Sequence, residues 1–144
     1  MSENSETKHS DAVDIVLRKI GRNMVLFQQF ESLLKYIISN SSLSAKSSQL
    51  EQPKAKARKS TQKQTLGTLV GQYVENILVS DVDDSKPDPE TITEPYFSFR
   101  FRINPGDTFR EEIKTTLSKL VIDRNQLVHH LLPSLDTNST ESCD

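Results

Sequence analysis

The sequence predicts a mainly α protein, a small helical bundle with one short extended segment around residues 96–103. In three segments, 10–39, 65–79 and 107–132, apolar side chains recur at the three- and four-residue intervals that form one helical face. A chain of 144 residues has room for one ordinary core, so we expect a single domain over residues 1–144.

The first predicted helix, 10–39, carries two adjacent apolar stripes. A helix that is apolar over so much of its circumference must be covered on more than one side, by other helices or by a second copy of the chain. One stripe consists of Val13, Val16, Leu17, Ile20, Met24, Phe27, Leu34 and Ile38, and the other consists of Leu26, Phe30, Leu33 and Ile37.

Glu31 is the charged member of the first stripe, and Lys35 lies one helical turn beyond it. Two alternatives explain this placement. In one, the two side chains form an ordinary i, i+4 ion pair at the edge of the stripe. In the other, Glu31 directs its carboxylate into a cleft that it shares with a second element.

Two connecting stretches carry opposite charge, although the whole chain has a net charge of only −2. We predict a basic loop over 40–64 and an acidic loop over 80–95, because both are poor in apolar residues. The basic stretch either only keeps the chain in solution or binds the phosphate backbone of a nucleic acid. A flexible tail is expected over 134–144. The cationic side chains after Pro53 are Lys54, Lys56, Arg58, Lys59 and Lys63.

The second predicted helix, 65–79, is short and amphipathic, and a candidate strand follows the acidic stretch. Its aromatic and polar side chains alternate in the order Phe97, Ser98, Phe99, Arg100, Phe101 and Arg102. This period of two predicts a half-buried strand whose outer face carries Arg100 and Arg102. We expect the strand to pair with part of 79–93 or with its own copy in a dimer.

The last predicted helix follows a turn at 104–107 and is stopped by Pro133. Arg124 falls on its apolar stripe, where a guanidinium needs a nearby anion. Asn125 and His129 share one face, whereas Arg124 lies about 140° around the helix from His129. Two copies related by a two-fold axis would bring both sets of side chains to one cleft.

The residues present argue against several classes of protein. Cys143 is the lone cysteine, so neither an internal disulfide nor a cysteine-based metal site is possible. The polar first residues predict no leader, and no apolar run approaches the roughly 18 residues of a membrane span, so we expect a cytoplasmic protein. The four glycines form no phosphate-binding loop, and no H-E-x-x-H or nucleophile elbow is present. We therefore expect no metal and no cofactor.

The residues from Arg124 to His129 read R-N-Q-L-V-H, which resembles the motif of the HEPN superfamily. HEPN proteins are compact helical bundles marked by an arginine, a polar residue and a histidine four to six residues after the arginine. The motif lies near the end of their last helix, as it does here. The asparagine after the arginine and the long apolar first helix also agree with the family.

The resemblance implies metal-independent RNA cleavage by a homodimer, as the toxin of a toxin–antitoxin pair or in defence against phage. Arg124, Asn125 and His129 would be catalytic. His129 would take the proton of the 2′-hydroxyl or protonate the leaving 5′-oxygen, and Arg124 would stabilise the charge on the phosphate. Asn125 would orient the histidine or the phosphate. The products would carry 2′,3′-cyclic phosphate and 5′-hydroxyl ends.

The resemblance also implies roles for residues outside the motif. Glu31 would be a partner for Arg124, and Lys35 completes an E-x3-K pattern seen in some members. The basic stretch, with Arg100 and Arg102, would bind RNA. The expected further partner is a protein antitoxin or a nucleotidyltransferase.

Two features of the motif leave alternatives open. His130 also satisfies the permitted spacing, and we favour His129 because it shares a face with Asn125. Members that a nucleotidyltransferase inactivates carry a tyrosine two residues after the histidine, where this chain has Leu131, so that regulation is not supported. The competing hypothesis is a non-catalytic binding module, in which Arg124 pairs with Glu31 and the histidines are exposed at the helix end.

Overall fold

The computed structural model describes residues 3–79 and 94–135, with side chains described from residue 11 onward. Over these residues the protein is mainly α-helical with a small two-stranded sheet, which confirms the predicted fold class. The elements are α1 (Glu3–Asn40), β1 (Ser42–Lys46), α2 (Glu51–Gln62), α3 (Leu66–Asn76), β2 (Tyr96–Arg100) and α4 (Asp107–Gln126).

Helix α4 continues into a π-helical turn, Leu127–Leu131, and a last α-helical turn, Leu132–Ser134. The predicted acidic loop, up to residue 93, and the predicted tail from residue 136 lie outside the described residues. None of the helices in the described segments has an apolar stretch long enough to cross a bilayer.

Contacts divide the chain into two units. The first unit comprises residues 1–30 and 122–144, and the second comprises residues 31–121. The candidate motif therefore belongs to the first unit, whereas the sheet, α2 and α3 belong to the second. The prediction of a single domain stays a prediction.

The apolar core of the second unit is built around α3. Helix α3 begins after Thr65, whose side chain accepts a hydrogen bond from the Thr68 amide (3.4 Å) and so caps the first turn. Gly67 faces α4, because a Cβ at this position would lie 3.5 Å from Cγ1 of Val121. The buried apolar side chains of the core are Leu34, Ala45, Leu66, Leu69, Val70, Val74, Ile77 and Leu78.

The strand predicted near residue 96 is present, but the prediction that it is half-buried is wrong, because all five of its residues are exposed. Its partner is also neither of the two expected. β2 pairs antiparallel with β1, so that Leu43 lies opposite Phe99 and Ala45 lies opposite Phe97. Ala45 is buried, which explains why this serine-rich segment forms a strand although only two of its residues are apolar. The strand partner was not predicted because its apolar alternation consists of only two residues, Leu43 and Ala45, in a serine-rich segment.

The basic stretch was predicted as a loop, and this prediction is wrong for most of its length. Residues 51–62 form α2, which presents a narrow face of small side chains, Pro53, Ala57 and Thr61, to the protein. Thr61 is buried, and its hydroxyl donates to the carbonyl oxygen of Ala57 at 3.1 Å. The helix was missed because its inward face contains none of the large apolar residues that mark an amphipathic helix.

Helix α1 is longer than predicted, since it begins at Glu3 and not near residue 10. Lys35 donates to Glu31 at 2.6 Å and to the carbonyl oxygen of Gln62 at 3.1 Å, so the predicted i, i+4 ion pair also joins α1 to the end of α2. Part of the second apolar stripe remains exposed in one copy of the chain, because Leu26 and Leu33 keep 51% and 53% of their surface accessible, whereas Phe30 and Ile37 are half-buried.

Candidate functional site

The R-N-x3-H motif lies where α4 passes into the π turn. Arg124 is half-buried, and its Nη1 donates a hydrogen bond to Oδ1 of Asn125 at 3.1 Å. Within the described part of the first unit, no carboxylate pairs with Arg124. The guanidinium has five N–H donors, and the recorded hydrogen bond uses one, so this side chain retains the capacity to bind an oxyanion.

The π turn has a local cause in Pro133. In a regular α-helix the amide of residue 133 would donate to the carbonyl of His129, but proline has no N–H and its ring crowds that carbonyl. The chain instead widens, and the Leu132 amide donates to the carbonyl of Leu127, five residues earlier. The Ser134 hydroxyl then donates to the carbonyl of His130 at 2.7 Å.

The π turn also changes how the motif is presented. A π turn rotates less per residue than an α turn, so Arg124 and His129 are separated by less than the roughly 140° of a regular helix. Asn125 and His129 are both exposed at this end of the chain. The widened turn therefore brings the arginine and the histidine of one copy closer to a common face.

His130 occupies a different environment from His129. It lines a cleft of about 600 Å³ in the first unit, between α1 and the end of the last helix. The same cleft is lined by Asn23, Phe27, Asp123, Gln126, Leu127, Leu131 and Ser134. The structure thus separates the two histidines, with His129 outside this set of lining residues and His130 within it.

The sequence reasoning missed the cleft, although its spacing was visible. Asp123, Gln126 and His130 follow each other at three- and four-residue intervals, so they share one side of the helix. Asn23 and Phe27 are one turn apart on α1 and form the opposite wall. The cleft combines a carboxylate, amides and an imidazole with an apolar floor, a set that suits the binding of a polar aromatic group.

The remaining candidates lie in the second unit. Glu31 is engaged by Lys35, and its pairing with Arg124 stays a prediction. Arg100 and Arg102, predicted on the outer face of the strand, both line a second cleft of about 340 Å³. The cationic side chains of α2 and the residue after it are exposed, as solvent-facing lysines and arginines are expected to be: Lys54, Lys56, Arg58, Lys59 and Lys63.

In the described segments, no three His, Cys, Asp or Glu side chains are grouped as a metal site would require. Comparisons with protein-family models, with curated proteins and with solved structures found no match for this chain.

The role of Pro133 in shaping the motif can be tested by Pro133→Ala. We expect the new amide at position 133 to donate to the carbonyl of His129, which restores an α-helical turn. In NMR spectra, this amide should exchange slowly with solvent and the Cα shifts of residues 127–131 should change. Ser134→Ala is the matched control, because it removes a side-chain hydrogen bond but leaves the proline, and its π turn should persist. A π turn that survives Pro133→Ala would show that tertiary packing causes it.

Proposed function

We propose that the chain is a metal-independent endoribonuclease of the HEPN type, which acts as a homodimer in the cytoplasm as the toxin of a toxin–antitoxin or phage-defence system. The observation that carries the proposal is the state of Arg124. It is half-buried at the end of a helix, it is held by the neutral Asn125, and an exposed histidine follows one turn after that asparagine. Cleavage of a phosphodiester requires such a cation near the phosphate and an acid–base group beside it.

The proposed reaction uses the nucleophile of the RNA itself. His129 takes the proton of the 2′-hydroxyl, the 2′-oxygen attacks phosphorus, and the bond from phosphorus to the 5′-oxygen breaks. The leaving oxygen then takes the proton that His129 has gained, so one histidine serves each site first as base and then as acid. Arg124 binds the phosphate oxygens as their charge rises, and the Asn125 oxygen holds the guanidinium in place.

The dimer is supported by the apolar surface that one copy leaves uncovered. Leu26 and Leu33 on α1 are half exposed, and so are Ile122 and Leu131 close to the motif. Each of these side chains would gain roughly 1 kcal/mol or more if a second copy buried its exposed half. A two-fold axis near Ile122 and Leu131 would bring both motifs together.

A second candidate function is a non-catalytic binding module. It is favoured by the cleft that His130 and Phe27 line, which is open, largely apolar at its base and does not include the Arg124 motif. In this alternative the cleft receives a partner, and the hydrogen bond from Arg124 to Asn125 only satisfies the guanidinium.

Cleavage of RNA in the presence of EDTA tests the proposal directly. Arg124→Ala and His129→Ala should each lower the cleavage rate by about a hundredfold or more, because each removes a group that acts on the reacting phosphate. His130→Ala should lower it less. Lys119→Ala is the matched control, since it removes an exposed charge from α4 upstream of the motif.

The outcomes of this assay separate the alternatives. A wild-type dimer that leaves a varied set of RNAs intact, with and without metal, would contradict the ribonuclease proposal and favour the binding module. Loss of cleavage in His130→Ala with retention in His129→Ala would move the active site to the cleft.

Mixing inactive variants tests whether two copies form one site. If the arginine of one copy acts with the histidine of the other, heterodimers of Arg124→Ala and His129→Ala contain one intact composite site. An equimolar mixture should then recover roughly a quarter of the wild-type rate, because about half of the dimers are mixed and each has one of two sites. Recovery should be absent if each copy works with its own arginine and histidine, or if the protein is a monomer.

The basic face of α2 should contribute affinity without sequence preference. Replacing Lys54, Lys56, Arg58, Lys59 and Lys63 by glutamine should weaken RNA binding and flatten its dependence on salt, because fewer counterions are released. Fluorescence anisotropy at several salt concentrations measures the slope, and circular dichroism checks the fold. Replacing Arg18, Lys19 and Arg22 on α1 is the control. An unchanged slope in the α2 variant would restrict this face to a role in solubility.

A further inference from the structure

A second cleft, of about 340 Å³, lies in the second unit between the C-terminal half of α3 and the end of β2. Arg100 is the last residue of β2, and Arg102 follows it after one residue. Both arginines line this cleft, opposite polar side chains of α3 that include Gln72, Glu75 and Asn76. Within the cleft, the two guanidinium charges therefore face a single carboxylate.

The state of Arg102 makes this cleft unusual. Its side chain is half-buried, and in the part of the chain that the structure describes, its Nε and Nη1 atoms are fully enclosed without a hydrogen-bond partner. A buried guanidinium is unfavourable unless an anion or carbonyl oxygens compensate for the lost water. Glu75 does not compensate, because its side chain is exposed and forms no ion pair with Arg102 in the described segments.

We propose that this cleft binds a phosphate group. The planar fork of a guanidinium matches two oxygens of a phosphate, and the Arg102 guanidinium lines the cleft without a carboxylate partner in the described segments. Arg100 supplies a second positive charge, and the amides of Gln72 and Asn76 supply neutral donors. The inference goes beyond the proposed ribonuclease and does not depend on it, since no residue of the Arg124 motif lines the cleft.

The phosphate has two possible sources, which share one chemistry. It belongs either to a small free molecule, such as inorganic phosphate or a nucleoside monophosphate, or to the backbone of a nucleic acid. Glu75 lines the same cleft, and its carboxylate would repel a second phosphate nearby, which favours a molecule that carries a single phosphate.

The test is a titration of the full chain followed by NMR of the arginine Nε–H signals. Three probes are added separately: inorganic phosphate, a nucleoside 5′-monophosphate, and a single-stranded RNA oligonucleotide without terminal phosphates. We expect a saturable shift of the Arg102 signal. Tighter binding of the monophosphate assigns the cleft to a free nucleotide, and tighter binding of the oligonucleotide assigns it to a nucleic acid backbone. The proposal is overturned if none of the three probes shifts this signal.

Three variants make the test specific. Arg102→Met should weaken phosphate binding by at least about tenfold, which corresponds to losing a charged hydrogen bond. Glu75→Gln should tighten it about twofold or more, because a nearby negative charge is removed. Arg22→Gln, which removes an exposed charge from α1, should leave the affinity unchanged. If Arg22→Gln and Arg102→Met weaken phosphate binding equally, the effect comes only from the net charge of the protein, and the proposal is overturned.

A melting experiment distinguishes a binding role from a structural one. Without phosphate, Arg102→Met should melt at the same temperature as the wild type or higher, because an uncompensated buried charge has been removed. With phosphate, the wild type should gain melting temperature and Arg102→Met should not. A variant that melts lower than the wild type without ligand, and that still responds to phosphate, would assign Arg102 a structural role only.

Discussion

The burial of α3 is the interaction on which the second unit depends. Most of the buried apolar side chains of this unit lie between Leu66 and Leu78. Other elements attach to this segment directly: the Ile103 amide donates to the Ile77 carbonyl at 2.7 Å, and Val121 of α4 lies against Gly67. The same attachments hold the end of β2 beside α3, so the cleft that Arg102 lines is a consequence of how this core is closed.

The end of the last helix in the first unit depends on a different feature, which is the absence of a backbone N–H at Pro133. Pro133 forces the last helix to widen, and the widened turn contains both histidines of the motif. π turns are rare because they give up helical hydrogen-bond geometry, and they are frequent at functional sites. Here the turn brings His129 nearer to the side of the helix that carries Arg124.

The secondary structure could be predicted from the sequence where large apolar side chains recur at regular intervals. It could not be predicted where the inward-facing side chains are small. The stripes of α1, α3 and α4 predicted these helices, and the alternation around Phe99 predicted β2. α2 was missed because its inward face contains Pro53, Ala57 and Thr61, whose size gives no periodic signal. The π turn was missed because a proline was read as the end of the helix, whereas the chain makes one wider turn and continues. The position of the motif was predictable, but its surroundings depend on that turn.

Arg124 and Arg102 are both half-buried, and neither is paired with a carboxylate in the described segments. The chain has 20 acidic residues, yet Arg124 takes a neutral amide as its partner and the enclosed atoms of Arg102 have none in the described segments. A protein that needed these guanidiniums only for stability would pair them with carboxylates, or replace them with apolar residues at little cost. The ligands that we propose, RNA at Arg124 and a phosphate group at Arg102, would each supply the anion that these arginines lack in the described segments.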